Sequence, residues 1–234
     1  MEALGKVFLL PMLLHEDGWE ALPKDVAIWI KQCDGFFVEN EKTTRRYFKK
    51  IWKEMVIDDY VWFPIHQVED AQVNNFVQLL KAGKNIGIVS EAGCAGIADP
   101  GQLLVAAAQK IGATVKPYMG PSSILLALMA SGFNGQSFSF NGYLPIDAAD
   151  RKKKIQALEQ IVSTTGAAQL FIETPYRNNQ LFEAIVQTCH PTTQLCIGLE
   201  LTGPAEHIKT ATIQYWKNNK PELHKKLCIF ILGK

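Results

Sequence analysis

Residues 90–101 read Ser-Glu-Ala-Gly-Cys-Ala-Gly-Ile-Ala-Asp-Pro-Gly, after an apolar run and before a helical pattern. Gly93, Gly96 and Gly101 let the backbone approach a ligand closely or take φ > 0. Asp99 is placed to cap the following helix, with Pro100 at its first position. Ligands of open α/β sheets lie beyond the carboxyl ends of strands, so this turn is either a ligand loop or a well-made strand-to-helix connection. Two nucleotide-binding readings fail. A G-x-G-x-x-G fingerprint starting at Gly93 meets Ala95 and Ala98, and Gly83-Lys84 is followed by Asn85 where a P-loop needs Ser or Thr. Glu39, Glu91, Asp99 and Glu173 stand at the ends of expected strands, where a carboxylate can take a proton from a reacting hydroxyl. Glu91 and Glu173 are the catalytic candidates. Structural roles are open too: Asp99 as a cap, Glu173 as partner of Arg177, Glu39 as partner of Arg45. His66 and His207 are lone residues of the kind that usually make surface hydrogen bonds. No His/Cys/Asp cluster has metal-ligand spacing and no G-x-S-x-G elbow occurs, so neither a metal nor acyl-enzyme chemistry is expected.

The elements that must position these residues alternate. Lys6–Leu10, Gly35–Glu39, Tyr60–Ile65, Asn85–Ser90 and Ala113–Tyr118 read as strands, separated by helical patterns at Asp25–Cys33, 42–55, Glu69–Ala82 and Gly101–Ile111. That rhythm predicts a mostly parallel sheet covered on both faces, and continuous rather than alternating apolar strands agree. The rhythm changes at Gly120-Pro121-Ser122-Ser123, where the serines can cap a helix over Ile124–Ala130 that Gly132 ends. Later strands are expected at Ser137–Phe140, Ala168–Glu173, Leu195–Leu201, Ile208–Ile213 and Leu227–Leu232, with helices near 151–162 and 176–188. Several have no room for a crossover helix between them, which favours a mixed sheet. The expected organisation is two α/β domains, 1–119 and 120–234.

The 234 residues are 47% hydrophobic and 20% charged, enough apolar mass for a sizeable core. Lys+Arg 24 against Asp+Glu 23 gives a net charge of +1, which excludes a uniformly basic chain but not a basic patch. On the helix over 42–55, Lys42, Arg45, Arg46, Lys49, Lys50 and Lys53 share one face, while Thr44, Phe48, Ile51, Trp52 and Met55 share another. Such a stripe can track phosphates, or be an ordinary solvated face. Arg151-Lys152-Lys153-Lys154 reads as a second basic cluster at a helix start in water. Five cysteines with no C-x-x-C pair fit reduced thiols in an intracellular protein. The apolar run Val7–Leu14, broken by Pro11, is too short to span a bilayer and is read as a strand entering a loop. A cytoplasmic protein without membrane contact is expected.

Taken in order, the motifs resemble those of the tetrapyrrole-methylase-like (class III) S-adenosylmethionine-dependent methyltransferases. They lie nearest the ribosomal RNA small-subunit methyltransferase I branch, which 2′-O-methylates a 16S rRNA cytidine. Ser90–Gly101 resembles S-D-A-G-T-P-G-I-S-D-P-G, with Glu91 in place of the Asp. Gly120–Ser123 resembles G-P-S-A, Ala130-Ser131-Gly132 matches A-S-G, and Phe140–Pro145 resembles F-x-G-[FY]-L-P. Glu173–Arg177 resembles E-S-P-H-R, and Glu200-Leu201-Thr202 matches E-L-T. The resemblance implies S-adenosyl-L-methionine as cofactor, in a cleft between the two domains. It would be bound by Pro11, Glu91, Ala92, Gly93, Cys94, Gly96, Ile97, Asp99, Pro121, Ser122, Ser123, Asn141, Gly142, Tyr143, Thr174, Pro175, Leu201 and Thr202. It also implies a homodimer and an rRNA or ribosomal-subunit substrate, for which Arg45, Arg46, Lys49, Lys50 and Lys53 are the contact candidates.

Departures are clear. Where the branch has P-T-P-I-G-N-L-x-D, this region reads Pro11-Met12-Leu13-Leu14-His15-Glu16-Asp17 and keeps little beyond Pro11, and E-D-T-R-x-T-R retains Glu39, Thr44 and Arg45. The late Lys and His of E-L-T-K-x-H-E appear as Gly203 and Ala205, and the branch's C-terminal extension does not follow Leu232. Two other readings therefore stand beside rRNA methylation: a small-molecule or tetrapyrrole-type methyltransferase, and a cofactor-binding member without turnover.

Overall fold

The apolar runs of the first half become parallel strands: β1 (Val7–Leu10), β2 (Gly35–Val38), β3 (Val61–Pro64), β4 (Ile86–Val89) and β5 (Val115–Pro117). Their order is β3-β2-β4-β1-β5, with β1 pairing β4 and β5, and β2 pairing β3 and β4. These positions come from a computed structural model that describes residues 3–65, 70–99 and 101–234. His66, Glu69 and Pro100 lie outside the described residues.

The interior strands read as unbroken hydrophobic runs because both of their faces are buried. Phe8, Leu10, Phe36 and Val38 join one core cluster, with α1 (Val26–Ile30) and α2 (Glu41–Ile51) over it. Val7, Phe37, Ile86 and Ile88 project to the opposite cluster, under α3 (Asp70–Lys81) and α4 (Gln102–Lys110). Alternate residues of one strand thus serve two cores, as the period of two requires. β3, at the edge, is only half buried. The expected helix over 42–55 is shorter: α2 stops at Ile51, and Lys53 and Met55 lie in the turn beyond.

The contacts divide the chain into two compact units, one up to Pro121 and one from Ser122. The second opens with α5 (Ser123–Ser131), which ends at Gly132 with φ +78°. Its sheet comprises β6 (Phe138–Tyr143), β7 (Ala168–Ile172), β8 (Gln194–Leu199), β9 (His207–Thr212) and β10 (Cys228–Gly233), in the order β6-β7-β10-β8-β9. β6 and β7 are parallel and the other pairings antiparallel, so this sheet is mixed. One face is covered by α6 (Ala148–Thr165), α7 (Asn178–Thr188) and α8 (Ile213–Asn218) through Ile155, Leu158, Phe182, Ile185 and Trp216. α8 departs from the sequence reading. The sequence pattern ends a strand at Ile213, but Thr212 accepts a hydrogen bond from the Tyr215 amide and starts a helix. Arg151, expected in water, is buried, with Nη1 on the Ile146 carbonyl at 3.0 Å.

Candidate functional site

The carboxyl ends of β1, β2 and β4 deliver Pro11, Glu39-Asn40 and the loop from Ser90. Glu39 Oε2 accepts the Glu91 amide at 2.7 Å. Asn40 does two things at once: its Oδ1 accepts the Thr43 amide and caps α2, and its Nδ2 donates to Glu91 Oε1 at 3.3 Å. The Met12 amide donates to the Gly93 carbonyl at 2.8 Å, and Ser90 Oγ donates to the Ala92 carbonyl. Gly93 and Gly96 hold φ of +75° and +84°, and Ala98 is also left-handed at +62°.

Between these ties, the amides of Ala92, Gly93, Cys94 and Ala95 meet no acceptor among the described residues. Successive amides left without a protein acceptor in such a turn are donors available to the acceptor atoms of a ligand. Glu39 and Asn40 were not read from the sequence in these roles. Asn40 carried a legible signal, being an N-cap type just before a helix. Its hold on a loop 51 residues away carried none.

Three expected contacts are replaced. Asp99 does not cap α4: Gly101 takes the N-cap position, and the carboxylate closes its own loop by accepting the Gly96 and Gly101 amides, each at 2.7 Å. Arg45 pairs not with Glu39 but with Glu41 at 2.7 Å, one helical turn back, and lies over the Trp62 ring. Ser122 occupies the N-cap of α5 without a side-chain bond, and only its carbonyl holds the first turn, through the Leu126 amide. Cys94 Sγ donates to the carbonyls of Gly120 and Pro121, tying the loop to the end of its own unit.

Burial holds the Asp99 carboxyl above its ordinary range; the Gly101, Gly96 and Ile97 amides pull it down and the Glu39 charge adds to the rise. The folded form therefore binds the Asp99 proton more readily than the unfolded form does. Its contribution falls as pH rises from the unfolded value, about 4, through the raised folded value. The stability of the wild type minus that of Asp99→Asn, followed by urea unfolding, should decrease across that window and then level. A difference that grows with pH contradicts the burial assignment.

On α2, Thr44, Tyr47 and Phe48 are buried and the cations point outward. Three of the five contact candidates have work within the fold. Arg45 is paired as above, Lys50 lies over the Trp19 ring, and Lys49 Nζ donates to the carbonyls of Lys53 and Met55 past the helix end. Arg46 and Lys53 are exposed, as is Lys42.

In the second unit, the Glu173 side chain is only 1% exposed. Its Oε1 accepts the Thr174 amide at 2.6 Å and Arg177 Nη2 at 2.7 Å. Asn141 Nδ2 donates to Gln169 Oε1, and Gly142, at φ +61°, lies where the β6–β7 register shifts; Tyr143 beyond it is exposed. The Pro175 carbonyl accepts the Lys225 amide. Leu201 is buried. Thr202 is left-handed at φ +67°, its amide donates to Glu206, and its buried hydroxyl has no partner among the described residues. His207 opens β9 in an exposed position. Among the described residues no group of three or more His, Cys, Asp or Glu could hold a metal ion, and no helix is long and apolar enough to cross a membrane.

No family model matches the chain. Ribosomal RNA small subunit methyltransferase I of Mesorhizobium japonicum is 33% identical over 138 residues, 59% of this chain and 46% of that protein. The protein of the same name from Halalkalibacterium halodurans is 32% identical over 208 residues, 87% of this chain and 68% of that protein. The chain spans about half the length of several such relatives, with 46%, 56% and 50% covered in three of them. Among solved structures, the methyltransferase CobJ superposes with a TM-score of 0.65 at 14% identity, over 98% of this chain and 94% of that one. Uroporphyrin-III C-methyltransferase from Thermus thermophilus, complexed with S-adenosylhomocysteine, gives 0.59 at 13% identity, over 98% of both chains. Those two likenesses are of fold alone. The match to the Halalkalibacterium halodurans protein runs through most of both sequences, and by it the chain belongs to the ribosomal RNA small subunit methyltransferase I family.

Proposed function

We propose that this chain transfers a methyl group from S-adenosyl-L-methionine to small-subunit ribosomal RNA. The observation that carries the reading is the loop after β4, whose four successive amides from Ala92 to Ala95 are left open while Glu39, Asn40 and Asp99 fix the backbone around them. The names of the relatives support the acceptor, and the S-adenosylhomocysteine of the Thermus thermophilus structure supports the cofactor.

The cofactor supplies a methyl already activated on a sulfonium, so the protein's task is mainly alignment. The loop amides bind acceptor atoms, and Asp99 keeps the loop closed. Glu91 is exposed and held by Asn40, whereas Glu173 is held by Arg177. Glu91 is therefore the carboxylate we assign to accept the proton of the attacking hydroxyl. A cytoplasmic homodimer is the form we infer, on the family resemblance.

Calorimetry with S-adenosylhomocysteine should show saturable binding, and labelled S-adenosylmethionine should label small-subunit rRNA. Absence of binding by the folded protein refutes the reading. Glu91→Gln should lower methyl transfer about 100-fold, the low end for a lost general base, while affinity for S-adenosylhomocysteine stays within a few-fold. Unchanged turnover would remove Glu91 from the reaction.

A further inference from the structure

We propose that the outward face of α2 is the track on which this chain takes a single-stranded RNA, with the phosphate path running towards the loop at Glu91. The inference rests on the methyltransferase reading and names the surface that receives its substrate.

Residues 42–53 hold six cations and no carboxylate, with Glu41 before them paired to Arg45 and Glu54 after them, in a chain whose net charge is only +1. A face evolved merely for solubility intersperses both signs. Here Lys42/Arg46, Arg45/Lys49 and Arg46/Lys50 are like-charged pairs four residues apart, an arrangement that destabilises a helix by a few tenths of a kcal/mol per pair. A polyanion relieves that repulsion. The helix cannot roll to hide the charges, because Tyr47 and Phe48 fix its other face in the core. Successive turns present cations about 5.4 Å apart along the axis, so the row can follow consecutive phosphates.

The row extends past the helix end. Lys49 holds the turn that carries Lys53, and Lys31 lies over the Trp52 ring at 4.8 Å, adding a cation beside a half-buried indole. Its other end is the Asn40 cap, whose Nδ2 reaches Glu91. A strand laid along the cations therefore arrives at the loop assigned to the cofactor. An anionic membrane is the less apt partner: a helix that lies in a bilayer surface turns its apolar face outward, and the apolar face of α2 is buried.

The test is fluorescence anisotropy with a labelled single-stranded RNA of roughly 20 nucleotides, without cofactor, across a salt series. The variant is Lys42→Glu/Arg46→Glu/Lys53→Glu, chosen because these three side chains make no ion pair among the described residues. Wild-type affinity should fall steeply with salt. Losing three phosphate contacts should flatten the log–log slope by about two and weaken binding at least tenfold near 0.1 M salt. The neutral variant, Lys42→Gln/Arg46→Gln/Lys53→Gln, should flatten the slope similarly, and the melting temperature should be kept in both. Unchanged slope and affinity in the folded variants overturn the proposal, as does salt-independent wild-type binding. So does binding to phosphatidylserine vesicles that is lost in the variant while RNA binding is kept. Calorimetry with S-adenosylhomocysteine separates the two readings. If the wild type binds no S-adenosylhomocysteine yet loses RNA with the triple substitution, the methyltransferase reading fails and the RNA surface stands.

Discussion

Gly120→Ala should destabilise the first unit by about 3 kcal/mol and lower its melting temperature by on the order of 10 °C. A methyl built on Gly120 would overlap Pro11 Cβ, with Pro11 Cα and Cγ at 3.3 and 3.4 Å. Pro11 cannot yield cheaply. It is buried, its ring is stiff, and its carbonyl accepts the buried Tyr47 hydroxyl at 2.9 Å. The strain must pass to neighbours: the Met12 amide holds the Gly93 carbonyl, and the Gly120 carbonyl accepts from Cys94. Affinity for S-adenosylhomocysteine should therefore drop at least tenfold. Gly112→Ala is the control for backbone conformation, because Gly112 has φ +75° but nothing within 4 Å of an added Cβ. It should cost only about 1 kcal/mol and leave binding intact. If Gly120→Ala melts and binds like the wild type, the close approach of these two segments is wrong.

Arg177→Met should cost about 3 kcal/mol in the second unit, because it strands the Glu173 carboxylate. That side chain is 1% exposed against 30% for Arg177, and both Nε and Nη2 of the guanidinium donate to the same oxygen. Removing one partner of a buried pair leaves an uncompensated charge, and this outweighs what the pair contributes to stability. The double variant Glu173→Gln/Arg177→Met should recover most of the loss, so urea unfolding of the full cycle should give a coupling of a few kcal/mol. The same variants test a catalytic role. If Glu173 only holds its loop, methyl transfer by Glu173→Gln should fall in step with stability. A loss of turnover at unchanged stability and cofactor affinity would instead make Glu173 the base.

The parallel strands were legible because burial on both faces leaves an unbroken apolar run, as at Ile86–Val89. The motifs from Ser90 to Thr202 were legible in order and pointed to the family that the relatives share. The misread contacts have a common cause. A local rule offers several partners, and the fold selects among them. Arg45 had Glu41 four residues back, the helical spacing, as well as the more distant Glu39. Asp99 precedes Pro and Gly like a cap, yet closing a loop with two left-handed residues, Gly96 and Ala98, draws its carboxylate to the Gly96 and Gly101 amides. Ile213, Tyr215 and Trp216 have strand-like side chains, but a threonine cap and a core position for Trp216 outweigh that preference over six residues.

The place of β10 bears on how the chain is made. It follows the other four strands of the second sheet in sequence but lies at its centre, bonded to β7 on one side and β8 on the other. During synthesis the first unit can close once residue 121 has emerged. The second remains in two halves, β6 with β7 and β8 with β9, each with an unpaired edge, until Cys228–Gly233 slots between them. Those edges are open templates for another chain, so the interval before β10 arrives is the period in which a crowded polysome, or a chaperone, competes for this protein.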